Sequence, residues 1–104
     1  MYDDNQSRRE SLQALISLNE GYAYVGGFAH TANILEDVQS CRPDLILMDI
    51  EMPQADGISG VRLLRSTFPG VKIIMQTAFD DDEKVFAAIQ AGAEGYILKS
   101  AGVL

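Results

Sequence analysis

The chain is poor in cysteine, histidine and basic residues, and each shortage removes a class of function. One cysteine, Cys41, among 104 residues excludes an internal disulfide. It suits a reducing compartment, where a thiol late in a helix is a small packing group. The single histidine, His30, has no second histidine or cysteine beside it, which makes it a solvated loop residue rather than a metal ligand. Eight basic side chains stand against fifteen acidic ones, for a formal charge of −7. That sign opposes nonspecific attraction of this segment to nucleic acid or to an anionic membrane. No run approaches the roughly 18 apolar residues of a membrane span, and no basic start leads into an apolar stretch as in a secretory signal. Repeats, low-complexity tracts and internal linkers are absent too. The expectation is one cytoplasmic domain, its 47% hydrophobic content sufficient for a single core.

What is present is an alternation of apolar runs with helical patterns. Leu45 to Met48 is an uninterrupted apolar stretch, as in a strand covered on both faces, and it delivers Asp49 to the carboxyl edge of a parallel sheet. Ligands bind at that edge in open sheets of this kind. Val71 to Thr77 reads as a second buried strand ending in a hydroxyl, and Gly95 to Lys99 as a third ending in an ammonium. Tyr22 to Phe28 predicts a short strand weakened by Gly26 and Gly27, and the acidic pair Asp3 and Asp4 follows what would be the first strand.

Between the strands, Ser7 to Glu10 has the capping-box pattern, with Leu12, Leu15 and Ile16 at helical spacing behind it. Thr31 is placed to cap a helix whose Ile34, Leu35, Val38 and Cys41 share a face, and Arg42-Pro43 ends it. Met52-Pro53 and Asp56-Gly57 read as a loop with a turn pair, followed by a third helix with Ile58, Val61, Leu64 and Phe68 on one side and Pro69-Gly70 beyond. Gly60 weakens the start of that helix by about 1 kcal/mol relative to alanine. A fourth helix spans about Asp82 to Ala91, with Val85, Phe86 and Ile89 inward and Gly92 as its C-cap. The acidic run Asp80 to Glu83 fits a helix N-terminus better than a second metal site.

Acidic pair, aspartate, threonine and lysine thus fall in order at successive strand ends. With the motifs Tyr2-Asp3-Asp4-Asn5, Leu47 to Pro53 running on to Asp56-Gly57, Thr77-Ala78 and Gly95 to Lys99, the chain resembles the receiver domain of two-component response regulators. The resemblance implies a flavodoxin-like, doubly wound α/β fold with a five-stranded parallel sheet of order 2-1-3-4-5. It implies that Asp49 is a phosphoacceptor attacking the phosphohistidine of a sensor histidine kinase or phosphotransfer protein. Such a transfer brings negative charge beside negative charge, so Mg²⁺, or Mn²⁺, is needed to neutralise both. By resemblance, Asp3, Asp4, Asp49 and the backbone carbonyl of Glu51 would hold it. Lys99, the Thr77 hydroxyl and the Ala78 amide would bind the phosphoryl oxygens. Thr77 and Tyr96 would form the switch that moves a dimer or output surface around the fourth helix and the last strand.

Both ends depart from the family pattern. Only Met1 and Tyr2 precede the acidic pair, and Ser100 to Leu104 is too short for a fifth helix. Ser100 also stands where many receivers carry proline, a departure seen in receivers that precede a helix-turn-helix output domain. A receiver incomplete at both ends is expected, phosphorylation-dependent in its dimerisation, touching DNA only through a domain beyond Leu104. It would be a signalling switch rather than a turnover enzyme. Three other readings compete: a receiver-like dimerisation module without phosphorylation, a phosphatase of the haloacid-dehalogenase type, and a flavodoxin-like binding module. The phosphatase would need a second aspartate where Glu51 stands. The flavodoxin-like module would need a phosphate-cradling loop where Asp3 and Asp4 carry the wrong sign.

Overall fold

A computed structural model of the chain describes residues 1–52, 55–78 and 82–99. In chain order the elements are α1 (Gln6–Ser17), α2 (Ile34–Cys41), β1 (Leu45–Asp49), β2 (Glu51–Met52), β3 (Ala55–Asp56), α3 (Gly57–Thr67), β4 (Lys72–Thr77), α4 (Asp82–Ala91) and β5 (Gly95–Leu98). β4 lies between β1 and β5, parallel to both, and pairs Ile46 with Ile73 and Met48 with Met75. On the far side of β1, Tyr2 bridges Met48 and Phe28 in parallel fashion. Phe28, Tyr2, β1, β4 and β5 therefore stand in the expected 2-1-3-4-5 order, and the fold is flavodoxin-like.

The two outer positions are single bridges rather than strands. The expected strand from Tyr22 to Phe28 does not form, because only Tyr2 and its neighbours offer a ladder. Phe28 N donates to Met1 O, Asp3 N to Phe28 O, and the terminal ammonium of Met1 to Gly26 O. Burial fixes Tyr2 all the same: its ring stacks on Phe28 with centroids 5.2 Å apart and its hydroxyl donates to Asp37 Oδ2 at 3.0 Å.

Parallel pairing with period-2 side chains sorts the sheet's two faces. Ile46, Met48, Ile73 and Met75 are buried against Ile34 and Val38 of α2, Val61 and Leu64 of α3 and Ala88 of α4. Leu47 and Ile74, on the other face, are half-buried, and α1 buries no residue. Gly60 sits inside α3 because that helix crosses the sheet closely: a methyl there would lie 3.3 Å from Ile34 Cδ1 and 3.4 Å from Met48 Cε.

Several local expectations change. The N-cap of α1 is Asn5, whose side chain accepts from Arg8 N, so Ser7 lies within the helix and the capping box does not form. An Asx cap two residues earlier wins because it also starts the helix directly after Asp3 and Asp4. Asn33, not Thr31, precedes α2, although Ile34 N donates to the Thr31 carbonyl. Phe86 and Ile89 of α4 are exposed, and Ala88 is the residue that turns inward. Ala88 joins the core cluster that Val61 and Leu64 of α3 also form. Leu45 is exposed as well, at the start of β1. Pro53, Gln54, Asp80, Asp81 and residues 100–104 lie outside the described residues.

At the amino end of the sheet Arg65 ties three elements together. Its guanidinium donates to the carbonyls of Pro69 and Val71 at 2.8 and 2.9 Å, to Gly92 O at 2.6 Å and to Glu94 Oε1 at 2.8 Å. Glu94 Oε2 in turn accepts from Ile73 N at 2.6 Å. Gly92, at φ +121°, is the C-cap anticipated for α4, and a side chain there would also strike Arg65. Arg65→Ala strands these carbonyls where water reaches only part of them, and is expected to lower stability by about 2–3 kcal/mol. Urea denaturation checks this; a loss below about 0.5 kcal/mol would mean that the network is only decoration.

Candidate functional site

Asp49 ends β1 at the carboxyl edge of the sheet, fully buried. Its Oδ1 accepts from Glu51 N at 2.9 Å and its Oδ2 from Lys99 Nζ at 2.9 Å. Lys99 arrives there because β5 runs parallel to β4 and Lys99 N continues the ladder to Thr77 O at 2.8 Å. Asp3 follows the Tyr2 bridge and is likewise fully buried, whereas Asp4 stands at the exposed rim. One oxygen each from Asp3, Asp4 and Asp49 lies within 4.8 Å of the others.

Charges this close conflict. At an effective dielectric of 20, Lys99 attracts Asp49 by about 6 kcal/mol, while each of two neighbouring carboxylates repels it by about 3–4 kcal/mol, less for the screened Asp4. The terms nearly cancel, and with Arg8 paired to Asp3 two cations face three carboxylates, which leaves room for one more positive charge. Hard carboxylate oxygens are the donors Mg²⁺ selects, and three of them converge here within 4.8 Å of one another. Residue type and spacing thus fit a small divalent ion.

Thr77 ends β4 fully buried, and its hydroxyl lies 3.4 Å from Glu51 Oε1, a long contact for a hydrogen bond. Ala78 follows it, exposed, in a bend. Glu51 opens β2 two residues after Asp49, paired with Asp56 across a small antiparallel ribbon. Tyr96 lies opposite Met75 on β5 and is 43% exposed. The loop read as a turn at Asp56-Gly57 is therefore the second strand of that ribbon running into α3. Gly57 has no positive φ. It is required because its Cα passes over the Asp49 carbonyl: a Cβ would fall on that oxygen and lie 3.2 Å from the carbonyl carbon.

Three polar residues at the site escaped the sequence reading. Arg8 holds Asp3 with a fork, Nε to Oδ2 at 2.8 Å and Nη2 to Oδ1 at 3.1 Å, while Gln76 Nε2 donates to Oδ2 at 3.0 Å. Arg9 Nη1 donates to the Asp3 carbonyl at 2.5 Å. Burial works against the Asp3 charge, but the Arg8 fork, the Asn5 amide and the positive charges of Arg8 and Lys99 outweigh it, and the carboxyl is held below its ordinary range. The available signal was spacing: Arg8 is four residues from Asp4, on the first turn of the helix the acidic pair opens. Neither Cys41 nor His30 takes part. His30 is exposed in a loop, its Nδ1 accepting from Ala32 N.

A parallel α/β sheet with an acidic cluster and a lysine at its carboxyl edge defines the class. The model of the response regulator receiver domain matches residues 1–103, and the chain belongs to that family. It is 36% identical over 97 residues to the transcriptional regulatory protein LnrK of Bacillus subtilis, covering 93% of this chain and 44% of that protein. It is 32% identical over 98 residues to the response regulator protein VraR of Staphylococcus aureus, covering 94% and 47%. Among solved structures, a LuxR-family two-component response regulator from Aurantimonas superposes with a TM-score of 0.87 at 30% identity, over 95% of this chain and 71% of that one. The receiver domain of the putative response regulator NarL from Mycobacterium tuberculosis gives 0.84 at 31% identity, over 93% and 78%. The chain thus spans less than half the length of these curated relatives. Among the described residues no helix is long and apolar enough to cross a membrane.

Proposed function

We propose that this receiver is a phosphoacceptor switch, Asp49 taking a phosphoryl group from the phosphohistidine of a sensor kinase or phosphotransfer protein. The observation that carries the reading is the buried Asp49 carboxylate with Lys99 on one oxygen and the Asp3 and Asp4 carboxylates within 4.8 Å. An Asp49 oxygen forms the new bond to phosphorus, the bond from phosphorus to the imidazole nitrogen breaks, and its electron pair returns to the ring. Asp3, Asp4, Asp49 and the Glu51 carbonyl would hold Mg²⁺ or Mn²⁺, which would supply the charge neutralisation that lets phosphoryl oxygens approach carboxylates. Lys99 exchanges its carboxylate partner for phosphoryl oxygens, and Thr77 and the Ala78 amide donate to the same group.

Drawing Thr77 toward the phosphoryl group detaches it from Glu51 and leaves space for Tyr96, now exposed, to turn inward. The face of α4 and β5, with Phe86, Ile89, Tyr96 and Ile97 exposed, would be remodelled for a second copy or an output domain. As relatives named transcriptional regulators are about twice as long, DNA contact would belong to a further domain of the whole protein. The chain catalyses its own phosphorylation and dephosphorylation and acts as a signal carrier in the cytoplasm rather than as a turnover enzyme.

Intact mass after incubation with acetyl phosphate tests the proposal. One phosphoryl group is expected with Mg²⁺, none in EDTA, and the adduct should be labile to hydroxylamine as an acyl phosphate. Uptake in EDTA would refute the metal's role. A folded protein that takes up nothing would make a dimerisation module the better reading.

A further inference from the structure

We propose that Arg8 is a resident counter-cation of the acidic cluster, holding Asp3 in the metal-free protein and competing with the divalent ion for it. The inference rests on the metal reading above and concerns how tightly the ion is held.

Both Asp3 oxygens are fully engaged. Oδ1 accepts from Asn5 N at 2.9 Å and from Arg8 Nη2 at 3.1 Å; Oδ2 accepts from Arg8 Nε at 2.8 Å and from Gln76 Nε2 at 3.0 Å. A carboxylate oxygen has about two acceptor sites, so a metal gains a direct place on Asp3 only when one donor leaves. The Asn5 amide is fixed as backbone at the start of α1, and Gln76 is buried in β4. Arg8 differs from both. Its side chain is 40% exposed, so the guanidinium can withdraw into water at little cost, and it already reaches Asp4 Oδ1 at 3.9 Å. It spans two of the three proposed carboxylate ligands from the solvent side, where an ion would enter.

Arg8 thereby performs two opposing tasks. In the metal-free chain it offsets the repulsion that three clustered carboxylates exert on one another. Against the metal it is a tethered competitor, always present and always charged. Its departure is a fixed cost of ion binding, so its removal should tighten binding while weakening the metal-free fold.

The test is calorimetric titration of the full chain with MgCl₂, alongside thermal melts in EDTA and in saturating Mg²⁺, for wild type, Arg8→Gln and Arg8→Lys. The Arg8→Gln protein is expected to bind Mg²⁺ roughly tenfold tighter, to melt lower in EDTA and to show a larger rise in Tm on adding the ion. Arg8→Lys keeps the charge without the fork, falls between the two, and serves alone if Arg8→Gln fails to fold. A structural role would lower the EDTA melt and leave the Kd unchanged; that result, or weaker binding in either variant, overturns the competition. If no protein binds Mg²⁺, the metal reading fails and this inference with it, whereas equal affinities overturn this inference alone.

Discussion

Asp49→Asn is expected to take up no phosphoryl group from acetyl phosphate and Mg²⁺, while folding nearly as well as wild type. The amide keeps the shape of the carboxylate and one acceptor oxygen, so the Glu51 amide retains a partner. It loses the charge and the nucleophile, and removal of the nucleophile of a serine protease costs about 10⁶ in kcat. The stability side follows from the near-cancellation at the cluster. Breaking a buried ion pair usually costs about 3–5 kcal/mol, but here much of the lost attraction to Lys99 is offset by relief from Asp4 and from Asp3, the latter reduced by its Arg8 fork. A net change within about 1 kcal/mol is expected. Intact mass and urea denaturation on the same sample check both halves. Phosphorylation of Asp49→Asn would transfer the acceptor role to another carboxylate; a loss of several kcal/mol would show that the Lys99 pair outweighs the repulsion.

Gly57→Ala is expected to be the more damaging substitution, although it touches no charge. The new methyl would meet the backbone carbonyl of Asp49 and, at 3.3 Å, the Ile50 Cα, none of which is the yielding end of a side chain. Either α3 withdraws from the sheet or the chain after Asp49 moves, and overpacking of that kind costs about 3 kcal/mol or more. Because the displaced atoms belong to Asp49 and Ile50, phosphoryl uptake should fall together with stability. Gly70→Ala is the control. A methyl there meets nothing within 4 Å, so the change should be neutral or stabilise by up to about 1 kcal/mol. If Gly57→Ala melts like Gly70→Ala, the close approach does not govern this site.

The parts of the fold that could be read in advance are those whose burial is nearly complete. Ile46, Met48, Ile73 and Met75 are buried under the helices, Leu47 and Ile74 between them are apolar as well, and these runs carry Asp49 and Thr77 to one edge. The helices read best where one face meets the sheet, as with Val61 and Leu64 in α3. Reading failed where tertiary partners decide. Tyr22 to Phe28 has the composition of a strand but only Tyr2 beside it. Phe86 and Ile89 have helical spacing, yet Ala88 is the residue of α4 that joins the core. Ser7 and Asn5 are both competent caps, and the position of Asp3 and Asp4 selects Asn5. Gly57 was noticed for the wrong reason, as a turn glycine, since closeness to a carbonyl from eight residues earlier leaves no local trace. Arg8 looked like part of a cap; its spacing from Asp4 hints at a charge pair, but not that its tighter partner is the buried Asp3.

The Arg65 network has a mechanical consequence. It pins the starts of β4 and β5 to the end of α3, through Val71, Ile73, Gly92 and Glu94. The opposite ends of the same two strands carry Thr77 and Lys99, and there side chains tie the sheet through the charge pair between Lys99 and Asp49 and the Gln76 bond to Asp3. The two strands therefore resemble tines fixed in a common handle, and a change of charge on Asp49 is expected to act on their tips rather than their roots.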